Sequence, residues 1–226
     1  MKLYLAYCSF ASAKFATENW HYSRSMPSGK LIKIGIWEDD KFTGCIIFGR
    51  GANNNIGKPY SLGQTEVCEL VRVALRNHSA PVTRIVSIAI NILKRNSPAI
   101  RLIVSYADTK QGHVGTIYQA GNWIYTGTTC GQSVMINGVV EHRRTVFSRL
   151  GSCKGLKFVK DKPKHKYLMP LDSEIRKSVS LLSKPYPETR QKHCDDATST
   201  RRGGRFNSDP VAPNQNIDTK CQHAKP

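Results

Sequence analysis

Hydrophobic and polar positions alternate along most of the first 150 residues, and the alternation changes period at recognisable punctuation. Leu3 to Cys8 reads as a first strand. Ser12 then sits where it could cap a helix running through Ala13, Phe15 and Ala16. Lys30 to Glu38 alternates apolar with polar, and Gly44 to Phe48 follows after Asp39-Asp40-Lys41, which predicts a hairpin. Arg50 to Tyr60 is a polar, glycine-rich loop without the Gly-Lys-Ser/Thr ending of a phosphate-binding P-loop.

Gln64 to Asn77 has a periodicity that fits helix or strand. Its β-branched Val67, Val71 and Val73, and the break at Asn77-His78-Ser79-Ala80-Pro81, favour a strand. Strict alternation there puts Glu66, Arg72 and Arg76 on one face and Glu69 on the other. Pro81 opens a helix with Ile85, Ile88, Ala89, Ile92 and Leu93 on its apolar side, closed by Lys94 to Pro98. Ile100 to Val104 is a buried strand that breaks into polar residues at Ser105, Tyr106 and Asp108. Gly112-His113-Val114-Gly115, a short helix over Thr116 to Ala120, a stop at Gly121-Asn122 and a strand from Trp123 to Tyr125 follow. Thr126 to Thr129 and Ser133 to Ile136 suggest more strands, and Ser173 to Ser183 a last helix. Strand, helix, strand at this length is a right-handed crossover, so the expectation is an α/β chain with a mixed sheet covered by helices.

Charge narrows the function. The 226 residues carry 34 Lys and Arg against 16 Asp and Glu, a formal charge of +18 that predicts attraction to a polyanion, nucleic acid first. No apolar run is long enough to span a bilayer. The seven cysteines are scattered and never form a CxxC pair, which disfavours a disulfide framework or zinc finger and fits a reducing cytosol. Residues 1–150 read as the main folded domain, 151–184 as a basic extension and 185–226 as a basic tail poor in apolar groups, expected to be disordered when free. Arg24, Arg143, Arg144, Lys154, Lys157 and Lys160 are the candidate DNA contacts, and Arg201 to Phe206 in the tail a weaker one. Trp20 to Lys30 mixes aromatic, imidazole, hydroxyl and guanidinium groups. Such a loop suits stacking on a base, or equally closure of the core's edge.

The segments HYSRSMPSGK, ELVRVAL, SYAD and QGHVGTIYQAGNWIYTG resemble the phage Mu Mom family of DNA-modifying proteins, over approximately Leu3 to Lys166. The order of elements is similar to that of the GNAT acyltransferase superfamily. The resemblance implies a GNAT-like α/β (α+β) fold, with a mixed, mostly antiparallel central sheet flanked by helices, and makes residues 1–150 the GNAT-like catalytic domain. It also implies a phage enzyme of the bacterial host cytoplasm that converts adenine in double-stranded DNA to N6-carbamoylmethyladenine and so shields the DNA from restriction endonucleases. Carried over residue by residue, it makes Asp108, Tyr118 and Arg72 catalytic, and His21, Tyr22, Ser105 and Tyr106 substrate-binding.

Residue chemistry alone reads Tyr118 as core and Arg72 as a structural ion pair, and leans towards function only for Asp108. Tyr22, Trp123 and Tyr125 are the candidate base-stacking rings. The superfamily's acyl-CoA loop is replaced after Arg76 by Asn77 to Pro81, which counts against acetyl-CoA. The donor is unassigned, with a glycine-derived group as a chemical candidate. An iron or zinc ion held by His21, His113 and Asp108 is left open, as is a homodimer. The competing classes are a non-catalytic basic DNA-binding protein and a GNAT acetyltransferase for a small molecule or protein.

Overall fold

The structure, a computed structural model, describes residues 1–51 and 55–188, except for the side chain at position 144. The strands β1 (Leu3–Tyr7), β2 (Leu31–Glu38), β3 (Lys41–Gly49), β4 (Val67–Leu75), β5 (Leu102–Asp108), β10 (Lys164–Pro170) and β6 (Ile124–Thr129) form one sheet in the order β1-β2-β3-β4-β5-β10-β6. Every neighbouring pair is antiparallel except β4–β5, which is parallel as its helical crossover requires. The mixed, mostly antiparallel α/β sheet expected from the sequence is therefore present.

Helix α2 (Val82–Asn96) is that crossover. It buries Ile85, Ala89 and Leu93 against one face of the sheet, where Ile46, Phe48, Leu70 and Ile103 point. The opposite face is covered by α1 (Phe10–Trp20), whose small Ala13 and Ala16 pack closely on Cys45, Ile47 and Ala74, and by α5 (Ser173–Ser180), whose Ile175 and Val179 meet Val67, Leu102 and Leu168. Helix α1 starts earlier than the sequence suggested. Ser9 is the cap, with its hydroxyl oxygen accepting from the Ser12 amide at 3.0 Å, so Ser12 lies inside the first turn. Strand β5 also outruns its apolar segment and continues through Ser105 and Tyr106 to Asp108, because polar side chains there alternate between two differently lined faces.

The basic stretch from Ser152 to Lys166 divides between two sheets. Lys157–Lys160 is β9, the outer strand of a small sheet ordered β8-β7-β9, with β7 (Gln132–Ile136), β8 (Val139–His142) and helix α4 (Arg143–Leu150) packed through Val134, Val146 and Cys153. Lys164–Pro170 is β10, inserted between β5 and β6 with Tyr167 and Leu168 wholly buried, so the main sheet is completed only beyond residue 150. Of the expected tail, Tyr186 packs back and donates its hydroxyl to the Trp123 carbonyl at 2.7 Å. Arg201 to Phe206 lies outside the described residues.

Candidate active site

Strands β4 and β5 pair only from Val67↔Leu102 to Leu70↔Ser105 and then part. At the same place β4 carries a bulge. Phe48 of β3 faces Leu70 and Ile47 faces Arg72, which leaves Val71 as the extra residue. Ile47 and Gly49 share one face of β3, and the residues opposite them, Arg72 and Glu69, therefore share that face too. This corrects the strict alternation read from the sequence, which separated Glu69 from Arg72; the inserted residue resets the phase. The bulge also shapes Arg72, whose Nη1 donates to the Val71 carbonyl at 2.9 Å while its Nε is buried with no hydrogen-bond partner. Burial pushes the guanidinium pKa down, and Tyr22 and Glu69 partly offset it. An orphaned donor on a buried cation is a costly arrangement that an incoming anion or carbonyl would satisfy.

On the α2 side of the divergence the Ser105 hydroxyl, fully buried, lies 2.9 Å from the Leu70 carbonyl and 2.8 Å from the Tyr118 hydroxyl. Ser105 has one proton and the carbonyl can only accept. The arrangement that satisfies all three groups has Ser105 donating to Leu70 and Tyr118 donating to Ser105. Tyr118 stands on the short helix α3 (Thr116–Gln119), packed against Trp123 and Tyr167, and burial pushes its phenol up to about 12. It is a neutral hydroxyl.

Over the other face of the divergence lies the segment after α1. His21 and Tyr22 rings are 4.3 Å apart, and Tyr22 meets His113 edge-on at 5.3 Å. The His21 Nδ1 accepts from the Ser23 amide at 3.1 Å and lies 2.8 Å from the Ser23 hydroxyl, which fixes the proton on Nε2. Burial, then Arg72 and His113, lower its pKa to about 4, so His21 is a neutral donor. Tyr22 is half exposed, and burial followed by the Asp108 charge raises its pKa. Asp108 ends β5 and accepts from the Lys110 amide at 2.9 Å, with Lys164 Nζ at 3.8 Å from its other oxygen.

Two further groups on this face, Lys166 and Tyr60, are not among the candidate site residues, although the sequence places Lys166 in a basic run suited to phosphate contact and Tyr60 at the end of the Arg50 loop. Lys166, opposite Tyr106 across β5–β10, has its ammonium 5.0 Å from the centre of the Tyr60 ring and its pKa lowered by burial. Tyr60 and Tyr106 are both pushed up by burial, and Glu69 adds to the rise at Tyr106. No sequence signal sets Lys166 apart from the other lysines of that run.

The structure thus brings His21, Tyr22, Arg72, Tyr106 and Asp108 to one face, with Ser105 and Tyr118 reaching the same gap from behind. It does not bring Trp123 or Tyr125 there. Trp123 is 1% exposed in the core, and Tyr125 is buried with its hydroxyl 2.9 Å from His165 Nδ1, so neither ring is free to stack on a base. Trp20 closes the edge of the core against Phe15 and Phe42. Among the described residues no three His, Cys, Asp or Glu side chains gather as a metal ligand set, so the convergence of His21, His113 and Asp108 on an ion is not formed. Arg24 is exposed on the segment that carries His21 and Tyr22, while Arg143 opens α4 with its guanidinium 5.5 Å from the Phe158 ring centre, Lys154 lies in the turn before β9, and Lys157 and Lys160 are the two ends of β9. A separate cavity of about 250 Å³, lined by Lys30, Arg50, Gln64, Cys68 and Ile100 among others, opens at the opposite ends of β4 and β5.

The turn from β4 to α2 is already occupied by an internal anion. Glu38, 6% exposed at the end of β2, accepts from the Ser79 amide at 2.7 Å and the Ala80 amide at 2.8 Å, and these bonds hold its carboxyl below the usual range. Amides at a helix N-terminus are where a phosphate would bind. Here a carboxylate of the chain takes two of them, which does not fit a pyrophosphate group in that turn.

Several known proteins are similar to this chain. Methylcarbamoylase mom of Escherichia phage Mu is 22% identical over 192 residues, covering 78% of this chain and 80% of the relative. Solved structures with a similar course include an aminoglycoside 6'-acetyltransferase type Ii (12% identity, 75% of this chain and 98% of that one, TM-score 0.44). Another is an N-acetyltransferase from Staphylococcus aureus Mu50 (11%, 76% and 99%, TM-score 0.44). The family model described as the Mom protein family matches residues 2–188, a span that includes every strand of the Arg72–Asp108 cleft, and the chain belongs to that family.

Proposed function

We propose that this transferase modifies adenine in double-stranded DNA, placing a carbamoylmethyl group on N6 and thereby protecting the DNA from restriction endonucleases. The observation that carries the reading is the gap where β4 and β5 part, lined by the orphaned Arg72 Nε, neutral His21, Asp108 and the half-exposed ring of Tyr22, in a chain of the Mom family.

Adenine N6 is unreactive while paired and stacked, so the base must leave the duplex. Tyr22 is the ring available to stack on it. Attack by N6 on the methylene carbon of the donor forms the N–C bond, releases one proton and expels the leaving group with its electron pair. Asp108 is placed to orient the amine and take the proton. Arg72, through Nε, holds the oxygen of the transferring group or of the leaving group, and His21 donates from Nε2. Tyr106 and Lys166 border the same space. Glu38 supports a donor that does not anchor a pyrophosphate at the α2 turn, which separates this reading from acetyl transfer out of coenzyme A.

The test is the nucleoside mass spectrum of DNA from cells making the full chain. The expected result is an adenine nucleoside heavier by a carbamoylmethyl group, reduced by Asp108→Asn and by Arg72→Met. Unmodified DNA from cells holding soluble, folded protein would refute it.

A further inference from the structure

We infer that the small sheet β8-β7-β9 with α4 is a docking module for duplex DNA, and that the exposed apolar tip of its β7–β8 hairpin enters a groove beside the site. The inference rests on the DNA-modifying reading above. Position comes first. The chain leaves the main sheet at Thr129 and returns at Lys164, and these two residues face each other across β6–β10 while Lys164 also faces Asp108 across β5–β10. The module therefore hangs from the row of the sheet that ends in Asp108. Its return strand is fastened there by the Thr109 hydroxyl donating to the Pro163 carbonyl at 2.5 Å.

Charge comes second. Between residues 130 and 163 the chain has seven basic residues (Arg143, Arg144, Arg149, Lys154, Lys157, Lys160 and Lys162) against Glu141 and Asp161. Arg149 is paired with Glu141, whereas Lys154, Lys157 and Lys160 are exposed and in no ion pair among the described residues. They follow the free edge of the small sheet, along β9 and its approach, where long side chains from either face reach the rim. Such a row suits a phosphate backbone.

Exposed apolar surface comes third. Val139 is 60% and Val140 51% exposed beside the Asn137-Gly138 turn, and Phe147, Leu150 and Phe158 are also largely exposed. Val140 faces Met135, which in turn faces Lys157, so an apolar crest and a lysine share one row of the sheet. A second copy of the chain would bring like charge against like charge over this surface. Duplex DNA matches both features, since proteins that open a base step set apolar side chains in the groove while cations hold the backbone.

The test measures binding of the full chain to a labelled duplex across a salt series. Lys154→Gln/Lys157→Gln/Lys160→Gln is expected to flatten the slope of log K against log salt by about 3. Val139→Ser/Val140→Ser is expected to weaken duplex binding by about tenfold with the slope kept. Both variants touch residues outside the proposed chemistry. A triple variant with the wild-type slope would overturn the proposal, as would a Val139/Val140 variant that binds DNA normally, whether or not sedimentation shows it to have lost a dimer. The outcomes separate from those of the catalytic reading. Salt slopes as expected with unmodified DNA sink the chemistry and leave the module, and modified DNA with unchanged slopes does the reverse.

Discussion

Ser105 and Tyr118 provide the sharpest quantitative test of the proton arrangement behind the site. Ser105 is fully buried and Tyr118 8% exposed, so neither can turn to water for a lost partner. Removing the serine hydroxyl strands the Tyr118 proton, at about 1–3 kcal/mol, and takes from the Leu70 carbonyl a hydrogen bond additional to its place in the β4–β5 ladder, at about 1 kcal/mol. Partial relaxation makes the expected cost of Ser105→Ala about 2–3 kcal/mol. Tyr118→Phe strands no donor, because Ser105 keeps its bond to Leu70, and should cost about 1 kcal/mol or less. In the serine-free background the same phenylalanine removes an orphaned hydroxyl and is favourable. The double variant should therefore be more stable than Ser105→Ala alone, with a coupling of about 1.5 kcal/mol. Urea unfolding of the four proteins, with equal m values as the control, measures it. Additive effects, or a Tyr118→Phe cost above that of Ser105→Ala, would refute the assigned direction of the proton.

The neutral His21 predicts that His21→Gln, whose amide keeps a donor near the Nε2 position, retains more modified nucleoside than His21→Phe; equal loss would contradict the donor role. The sign of its pH dependence is the reverse of a paired histidine. With the folded pKa lowered to about 4 from 6.5, the unfolded chain binds the extra proton, so stability is complete above 6.5 and falls as pH drops towards 4. A fold whose denaturation midpoint is flat across that window in wild type, relative to His21→Gln, would count against it. Glu38→Gln should cost about 1–3 kcal/mol at pH 7 through loss of a charge-assisted pair of bonds. Since the wild-type pKa is depressed, the difference between the two proteins should shrink as pH falls through that depressed value; a difference constant with pH would show that charge plays no part.

How much of this was legible in the chain depends on whether one residue's neighbours in sequence are also its neighbours in space. The alternation of Lys30 to Glu38 and the β-branched run at Val67 to Val73 announce their strands, because each side chain answers to the nearest face. The bulge at Val71 is invisible in that pattern, since β4 carries apolar residues on both faces and an inserted valine breaks no rule of composition. Strand β10 was hidden for a different reason: Lys164 and Lys166 lie towards the site end, so the buried Tyr167 and Leu168 follow a basic run. Trp123 and Tyr125 misled because an aromatic pair after a glycine turn suits a ligand platform as well as a core, and only tertiary packing decides.

The separation of the site into two faces constrains what Tyr118 does. Its ring belongs to the core under α2, with Trp123 and Tyr167, while Arg72, Glu69, Tyr106 and Asp108 occupy the face under α1 and α5. Contact between the two sides runs through the gap opened when the β4–β5 ladder stops at Leu70 and Ser105. A tyrosine that spends its proton on Ser105 holds β5 at the point from which Asp108 is three residues further along the same strand. Gly115 makes that placement tight: at φ +80° its missing Cβ leaves room for the Tyr167 ring, whose hydroxyl reaches the Val114 carbonyl. Tyr118 is thus tied into the scaffold that aims Asp108. A hydroxyl in that place touches the reacting base only if binding of the base draws it away from Ser105, and the double-variant cycle sets the strength of the bond that such a step would have to break.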